Sequence, residues 1–148
     1  MLLEELKHSI GKEVGVSGWT EVSQDMVYQF ADLTGDRQWI HVDAARAGRE
    51  SPFGATVAHG FLTVALLSRL VSEAVEVRAD SKLRVNYGFN RLRFPAPVKA
   101  GSRIRARVTP NAVRDVEGGI EIAWGVVVEV EGGAKPALAA EWLVRMYW

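Results

Sequence analysis

The sequence predicts an α+β domain in which an antiparallel sheet wraps one long central helix. Two observations carry this. From His59 to about Val77, the residues Phe61, Leu62, Val64, Ala65, Leu66, Leu67, Leu70, Val71, Ala74 and Val75 cover most of a helix circumference. A helix apolar on most sides is largely buried. After Asp80 the character changes. Residues 82–94, 102–115, 119–131 and 135–147 are rich in Val, Ile, Trp, Tyr and Arg and often alternate, as in Ile104-Arg105-Ala106-Arg107-Val108. One buried helix followed by a run of strands implies an α+β architecture, and only the sheet has enough apolar face to cover that helix. With 148 residues, 48% of them apolar, the chain has the size of one domain. Residues 1–148 carry no internal repeat, low-complexity tract or linker, and are read as a single domain.

The elements follow in order. Leu2, Leu3, Leu6 and Ile10 have helical spacing and predict a short amphipathic helix over 2–9. Gly11, Gly15 and Gly18 then interrupt, leaving at best a weak strand over 15–22. Ser23 is placed to cap a helix over 24–33, whose apolar side is Met26, Val27, Phe30, Ala31 and Leu33. Thr34-Gly35-Asp36 stops it, with Gly35 suited to a left-handed end. Asp43 caps a brief turn through Ala47, and Ser51-Pro52-Phe53-Gly54 reads as a loop. Gly118-Gly119 and Gly132-Gly133 mark hairpin turns, and Pro95 and Pro97 a break between strands.

Composition excludes several functions. There are no cysteines, which removes disulfide scaffolds, zinc ribbons, iron–sulfur clusters and thiol nucleophiles, and fits a reducing, cytoplasmic setting. No apolar run reaches the length that spans a bilayer, and the first residues are charged where a signal peptide is apolar. Eighteen basic side chains balance eighteen acidic ones. The balance hides an asymmetry: residues 1–74 are net −4 and 75–148 net +4, with most of the excess in nine cations against one acid over 78–107. An acidic front and a basic stretch suit a small anionic ligand better than a nucleic acid, for which no recognition motif is present.

Without cysteine, catalysis falls to carboxylates, imidazoles, hydroxyls or the backbone. Asp36 and His41 lie five apart on a loop after a glycine-ended helix, where a carboxylate and an imidazole can share a water. Spacing alone leaves an ordinary structural role open for both. His59-Gly60 opens the buried helix. Gly60 lets a ligand carbonyl approach its backbone N–H, or merely allows tight helix entry. His59 reads as a base or, more simply, as a cap or buried structural histidine. Ser68, on an apolar helix, either bonds back to its own helix or reaches the Asp36–His41 loop. His8 reads as surface. Two histidines without a carboxylate cluster predict no metal site, and no phosphate-binding or dinucleotide motif is present.

Taken together, these segments resemble the MaoC-like dehydratases, also called (R)-specific enoyl-CoA hydratases. That family's signature runs roughly Gly/Ser-Asp/Glu-Asp-x-Asn-Pro-x-His-x-Asp, then a Phe-containing loop, then Ala/Val-His-Gly-Met-Leu. It is matched by Thr34-Gly35-Asp36-Arg37-Gln38-Trp39-Ile40-His41-Val42-Asp43, Ser51-Pro52-Phe53-Gly54 and Val57-Ala58-His59-Gly60-Phe61-Leu62. Gly35-Asp36-Arg37-Gln38-Trp39-Ile40-His41 and the later Asn86-Tyr87-Gly88-Phe89-Asn90-Arg91-Leu92-Arg93-Phe94-Pro95 are similar to the nodulation-protein-N-like branch. The resemblance runs over nearly the whole chain.

It implies a hot-dog fold and a homodimer acting on an acyl-CoA substrate, with no membrane or nucleic-acid partner. No cofactor is implied, since coenzyme A is part of the substrate. Asp36 and His41 fall on the family's catalytic pair, Gly60 on the glycine whose N–H polarises the thioester carbonyl, and Ser68 on a supporting serine. The family's Asn-Pro becomes Gln38-Trp39: Gln38 offers the same amide one methylene further out, and Trp39 offers an apolar plate that can line an acyl tunnel. Phe53, Asn86, Asn90, Arg91 and Arg93 are further substrate-binding candidates, the two arginines for the phosphates of coenzyme A. The expected activity is addition of water to trans-2-enoyl-CoA to give (R)-3-hydroxyacyl-CoA. The alternatives are a hot-dog acyl-CoA thioesterase and a non-catalytic acyl-thioester-binding subunit.

Overall fold

The computed structural model describes residues 1–148. Six strands form one antiparallel sheet: β1 (Gly15–Val16), β2 (Thr20–Glu21), β3 (Leu83–Arg93), β4 (Arg103–Val116), β5 (Gly119–Val130) and β6 (Leu138–Tyr147). The order is β1-β4-β5-β6-β3, with β2 beside β1 on the same edge of β4. The weak strand expected over 15–22 is thus two short pieces on β4. The glycine-marked turns fall where expected, with Gly118 and Gly132 at positive φ.

Alternation sorts the sheet's two faces. Ile104, Val108, Ile122, Val126, Leu138 and Met146 point inward and are almost fully buried. The outer face carries charge. Arg103 pairs with Glu131, Arg105 with Glu129 at 2.6 Å, Arg107 with Glu129 at 2.8 Å and Glu13 at 3.0 Å, and Arg145 with Glu121 at 2.9 Å. The Arg107 and Arg105 guanidinium groups, by hydrogen bonding, hold the Glu129 carboxyl below the usual carboxylate range.

Across the inner face run α5 (Gly60–Ala65) and α6 (Leu67–Ala74), joined at Leu66, which keeps helical dihedrals. Together they are the expected central helix, but it ends at Ala74, where Val75 turns extended. It is also less buried than expected. Leu62, Leu67, Leu70 and Val71 are in the core, whereas Phe61 is 70% exposed and Ala65, Ser68, Arg69 and Ser72 are exposed too. The reason lies in the sheet. It covers one flank of the helix, and its last strand, β3, has one edge unpaired and is largely exposed. This is the hot-dog arrangement, with the helix gripped on one side only.

Four further helices complete the chain: α1 (Leu3–His8), α2 (Gln24–Thr34), α3 (Trp39–Val42) and α4 (Ala44–Glu50). Ser23 caps α2, its hydroxyl accepting from the Met26 N–H at 3.1 Å, and Asp43 caps α4 through the Arg46 N–H at 2.9 Å. The expected turn through Ala47 therefore extends to Glu50. No helix is long and apolar enough to cross a membrane.

Candidate active site

The site begins where α2 stops. Gly35 takes φ +77°, a left-handed conformation that ends the helix and turns the chain so that Asp36 follows at the surface. The short α3 then carries His41 inward, to 6% exposure. Its backbone is fixed from outside: the His41 carbonyl accepts from Gln24 Nε2 at 2.8 Å, and Gln24 Oε1 in turn accepts from the Thr56 hydroxyl. The segment from Thr56 to His59 runs alongside, with the Val57 N–H donating to the Ile40 carbonyl at 3.0 Å.

His41 Nδ1 lies 2.6 Å from the Val57 carbonyl. A carbonyl only accepts, so Nδ1 carries the hydrogen and the neutral ring keeps its lone pair on Nε2. His59 shows the reverse. Its Nε2 lies 2.8 Å from the Asp36 carbonyl and so donates, while its Nδ1 is buried without a partner. The two rings stack with centroids 3.7 Å apart and planes 21° from parallel, and Phe30 packs on His59 at 5.0 Å.

Asp36, His41 and His59 each bring one donor atom within 4.8 Å of the others. One carboxylate, Asp36, therefore stands beside both histidines, where the sequence pairs it with His41 alone. The set still does not form a chelate. Imidazole lone pairs lie in the ring planes, and two nearly parallel planes this far apart cannot both point at one ion ~2.0–2.1 Å away.

Gly60 follows His59 as the first residue of α5, a position whose N–H has no partner within the helix. His41 and Gly60 open into one cavity of about 420 Å³, whose walls include Ile40, Phe53, Phe94 and Pro97. Of the residues expected at the site, His41, Gly60 and Phe53 line this cavity, while Asp36 is outside its lining, with its carboxylate within 4.8 Å of the histidine nitrogens.

The others are placed elsewhere. Ser68 and Asn86 line a separate hollow of about 270 Å³ between α6 and the sheet, together with Val71, Arg84, Trp124 and Trp142. The Ser68 hydroxyl bonds neither to its own helix nor to the Asp36–His41 loop. Trp39 does not line the cavity; its ring lies beneath the Arg46 guanidinium at 4.3 Å. The Gln38 side chain is exposed. Asn90 and Arg91 are on the outer face, where Asn90 Nδ2 and Asn111 Nδ2 donate to Glu141 at 2.6 and 2.7 Å and hold its carboxyl below the usual range. Arg93 is exposed one residue before Phe94, its Nη1 donating to the Leu92 carbonyl at 2.8 Å. The basic stretch is also less free than its charge suggests, because Arg103, Arg105 and Arg107 already have carboxylate partners.

Two residues hold places at the site that the sequence left open or did not signal. His59 read more simply as a cap or structural histidine, although its position directly before Gly60 was the available signal. Phe94 gave none, since its contact with Gly60 joins a helix start to the loop after β3.

Residues 5–131 match the family described as MaoC like domain. The 3-hydroxyacyl-thioester dehydratase Z of Mycobacterium tuberculosis (strain H37Rv) is 49% identical over 142 residues, 95% of this chain and 93% of that protein. Nodulation protein N of Rhizobium meliloti (strain 1021) is 43% identical over 142 residues, 95% of this chain and 88% of that one. Among solved structures, a MaoC-like dehydratase from Rhodospirillum rubrum superposes with a TM-score of 0.80 at 22% identity, covering 99% of this chain and 97% of that chain. An (R)-hydratase from A. caviae involved in PHA biosynthesis has a TM-score of 0.68 at 26% identity, covering 90% and 96%.

Proposed function

The chain belongs to the MaoC-like dehydratase family, and from that membership we propose that it is a hydro-lyase interconverting trans-2-enoyl and (R)-3-hydroxyacyl thioesters, with coenzyme A as the carrier. The observation that supports this most is the convergence of His41 and Gly60 on one cavity, with the Asp36 carboxylate within 4.8 Å of the histidine donors.

In this proposal the thioester carbonyl lies against the Gly60 N–H, a donor with no competing bond inside its helix. Polarising that carbonyl makes C3 of the enoyl group electrophilic and stabilises the enolate oxygen that forms. Water is held between the Asp36 carboxylate and His41. Its oxygen bonds to C3, its proton passes to this pair, and a proton returns to C2 as the enolate collapses. His41 takes part through Nε2, because the Val57 carbonyl occupies Nδ1–H. Arg93, beside the cavity-lining Phe94, supplies the cation for the coenzyme A phosphates. The working unit is a homodimer, formed through the unpaired edge of β3 and the open side of the helix.

The experiment is to mix the protein with crotonyl-CoA and follow loss of the conjugated enoyl absorbance with a thiol reagent present. Loss of absorbance without free thiol is the expected result. Thiol release identifies a thioesterase instead. Absence of both with short and long enoyl-CoAs overturns the enzymatic reading.

A further inference from the structure

His59 is buried and titratable, and the water-adding step does not use it. Three facts set it apart. Its Nε2–H holds the carbonyl of Asp36 at 2.8 Å. Its ring lies against His41 at 3.7 Å. Its own backbone precedes Gly60, as the residue that caps α5 without a side-chain cap bond. One ring therefore touches the residue that carries the carboxylate, touches the imidazole, and is covalently next to the N–H donor.

The fourth fact is a cost. Nδ1 of His59 is buried and makes no hydrogen bond. Buried polar atoms are nearly always paired, and an exception needs a reason. A phenylalanine would keep ring contacts with Phe30 and His41 and leave no orphaned nitrogen. Packing alone thus favours a different residue, and what only histidine adds is the donor to Asp36.

We propose that His59 is a positioning residue for the Asp36–His41 pair, an assignment that rests on the hydro-lyase reading above. It does not exchange a proton with the substrate. Its Nε2–H fixes the turn that presents the Asp36 carboxylate, and its ring fixes the plane of His41 so that Nε2 faces the cavity. The two histidines hold opposite tautomers, His41 with hydrogen on Nδ1 and His59 with hydrogen on Nε2.

The test combines ring-nitrogen NMR with kinetics on the full chain, using His8→Gln to assign the remaining two of three histidines. The spectrum is expected to show the two opposite tautomers. His59→Phe keeps the stack and loses the donor. Turnover of crotonyl-CoA is expected to fall on the order of 30-fold while KM stays within about threefold, as for misplaced catalytic groups. Its Tm is expected to equal or exceed that of the parent. His59→Gln, which restores an N–H donor near the Nε2 position, is expected to recover part of kcat.

Parental kcat in His59→Phe overturns the proposal, as does a fall in kcat matched by a fall in Tm, or hydrogen on His59 Nδ1. If the parent protein hydrates no enoyl thioester, the hydro-lyase reading fails by itself. The ring-nitrogen spectrum then decides: hydrogen on Nδ1 of His41 and on Nε2 of His59 upholds the arrangement, and hydrogen on Nδ1 of His59 overturns the positioning role.

Discussion

The ring of Phe94 lies so close over Gly60 that a methyl group on that glycine would stand 3.0 Å from the ring carbons. The contact joins the start of α5 to the segment after β3, and both residues line the cavity that contains His41. Phe94 is 44% exposed, so the ring has room to swing aside. Gly60→Ala is therefore expected to fold but to push the ring into the space a thioester would use. Hydration should fall by roughly 10²–10³-fold, the range expected when a carbonyl can no longer reach such a donor. Enoyl-CoA turnover beside a thermal melt checks this. A variant of parental activity would mean that the carbonyl does not approach Gly60.

Asp36→Asn and His41→Ala are expected to lower turnover by at least ~10²-fold each, the usual contribution of a proton-transfer group. Their stabilities should differ. Asp36 is exposed, so its variant should melt with the parent, whereas His41→Ala leaves the Val57 carbonyl without its donor at a cost of ~1–3 kcal/mol. Extensive treatment with a chelator is expected to leave turnover unchanged, because the stacked rings cannot share an ion. Loss of activity restored by a divalent metal would refute that geometric argument.

The arginines of the basic stretch should separate kinetically. Arg105 is engaged with Glu129 on the outer face, while Arg93 is exposed one residue before Phe94. Arg93→Ala is expected to raise KM for an acyl-CoA by up to about fivefold, the scale of an exposed charge contact, and Arg105→Ala to leave it unchanged. Increased salt should shrink the first difference.

The outer-face ladder sets an acid limit on stability. Hydrogen bonds from Arg107 and Arg105 depress the Glu129 carboxyl in the folded state. In the unfolded chain it titrates at about 4.3, so there the unfolded state binds more protons, and stability rises with pH. The contribution is complete above that value and is lost as pH falls through the lower folded one. Glu129→Gln should flatten the stability curve below about pH 4.5 and leave its slope near neutrality unchanged. Denaturant titrations from pH 3 to 7 (roughly the range in which carboxylates respond) check this.

The unpaired edge of β3 makes the oligomer testable. Val85 and Tyr87 are 42% and 54% exposed on that strand. The parent is expected to be a dimer by light scattering and Val85→Asp a monomer, with β3 still paired to β6.

Much of this fold was legible because it is local. Gly35 at the end of α2, Ser23 and Asp43 as caps, and the alternation of Ile104 to Val108 are signals carried within a few residues. The extent of helix burial was not. Phe61 and Ala65 belong to the same apolar pattern as Leu62 and Leu67, and only the position of the sheet decides which of them it covers. At the site, Asp36 and His41 were visible from spacing and resemblance. The stack of His59 on His41 joins segments brought together by the Val57–Ile40 backbone bond and the His41 Nδ1–Val57 carbonyl bond, which leave no periodic trace. The outer-face carboxylates that engage Arg103 and Arg107 lie on β5, the turn after it and the N-terminal region, so charge counted along the chain could not reveal the cancellation.

The place of β6 between β5 and β3 has a consequence for how the chain is made. On the ribosome β3 emerges before β4, β5 and β6, yet its only partner strand is the last of them. Until then β3 has two open edges and displays Leu83, Val85 and Tyr87, features that invite aggregation of nascent chains. Arg84, Arg91 and Arg93, spaced along the same strand, are the kind of charges that act as gatekeepers against it. Part of the positive excess that suggested an anionic ligand thus lies where charges of that kind would act.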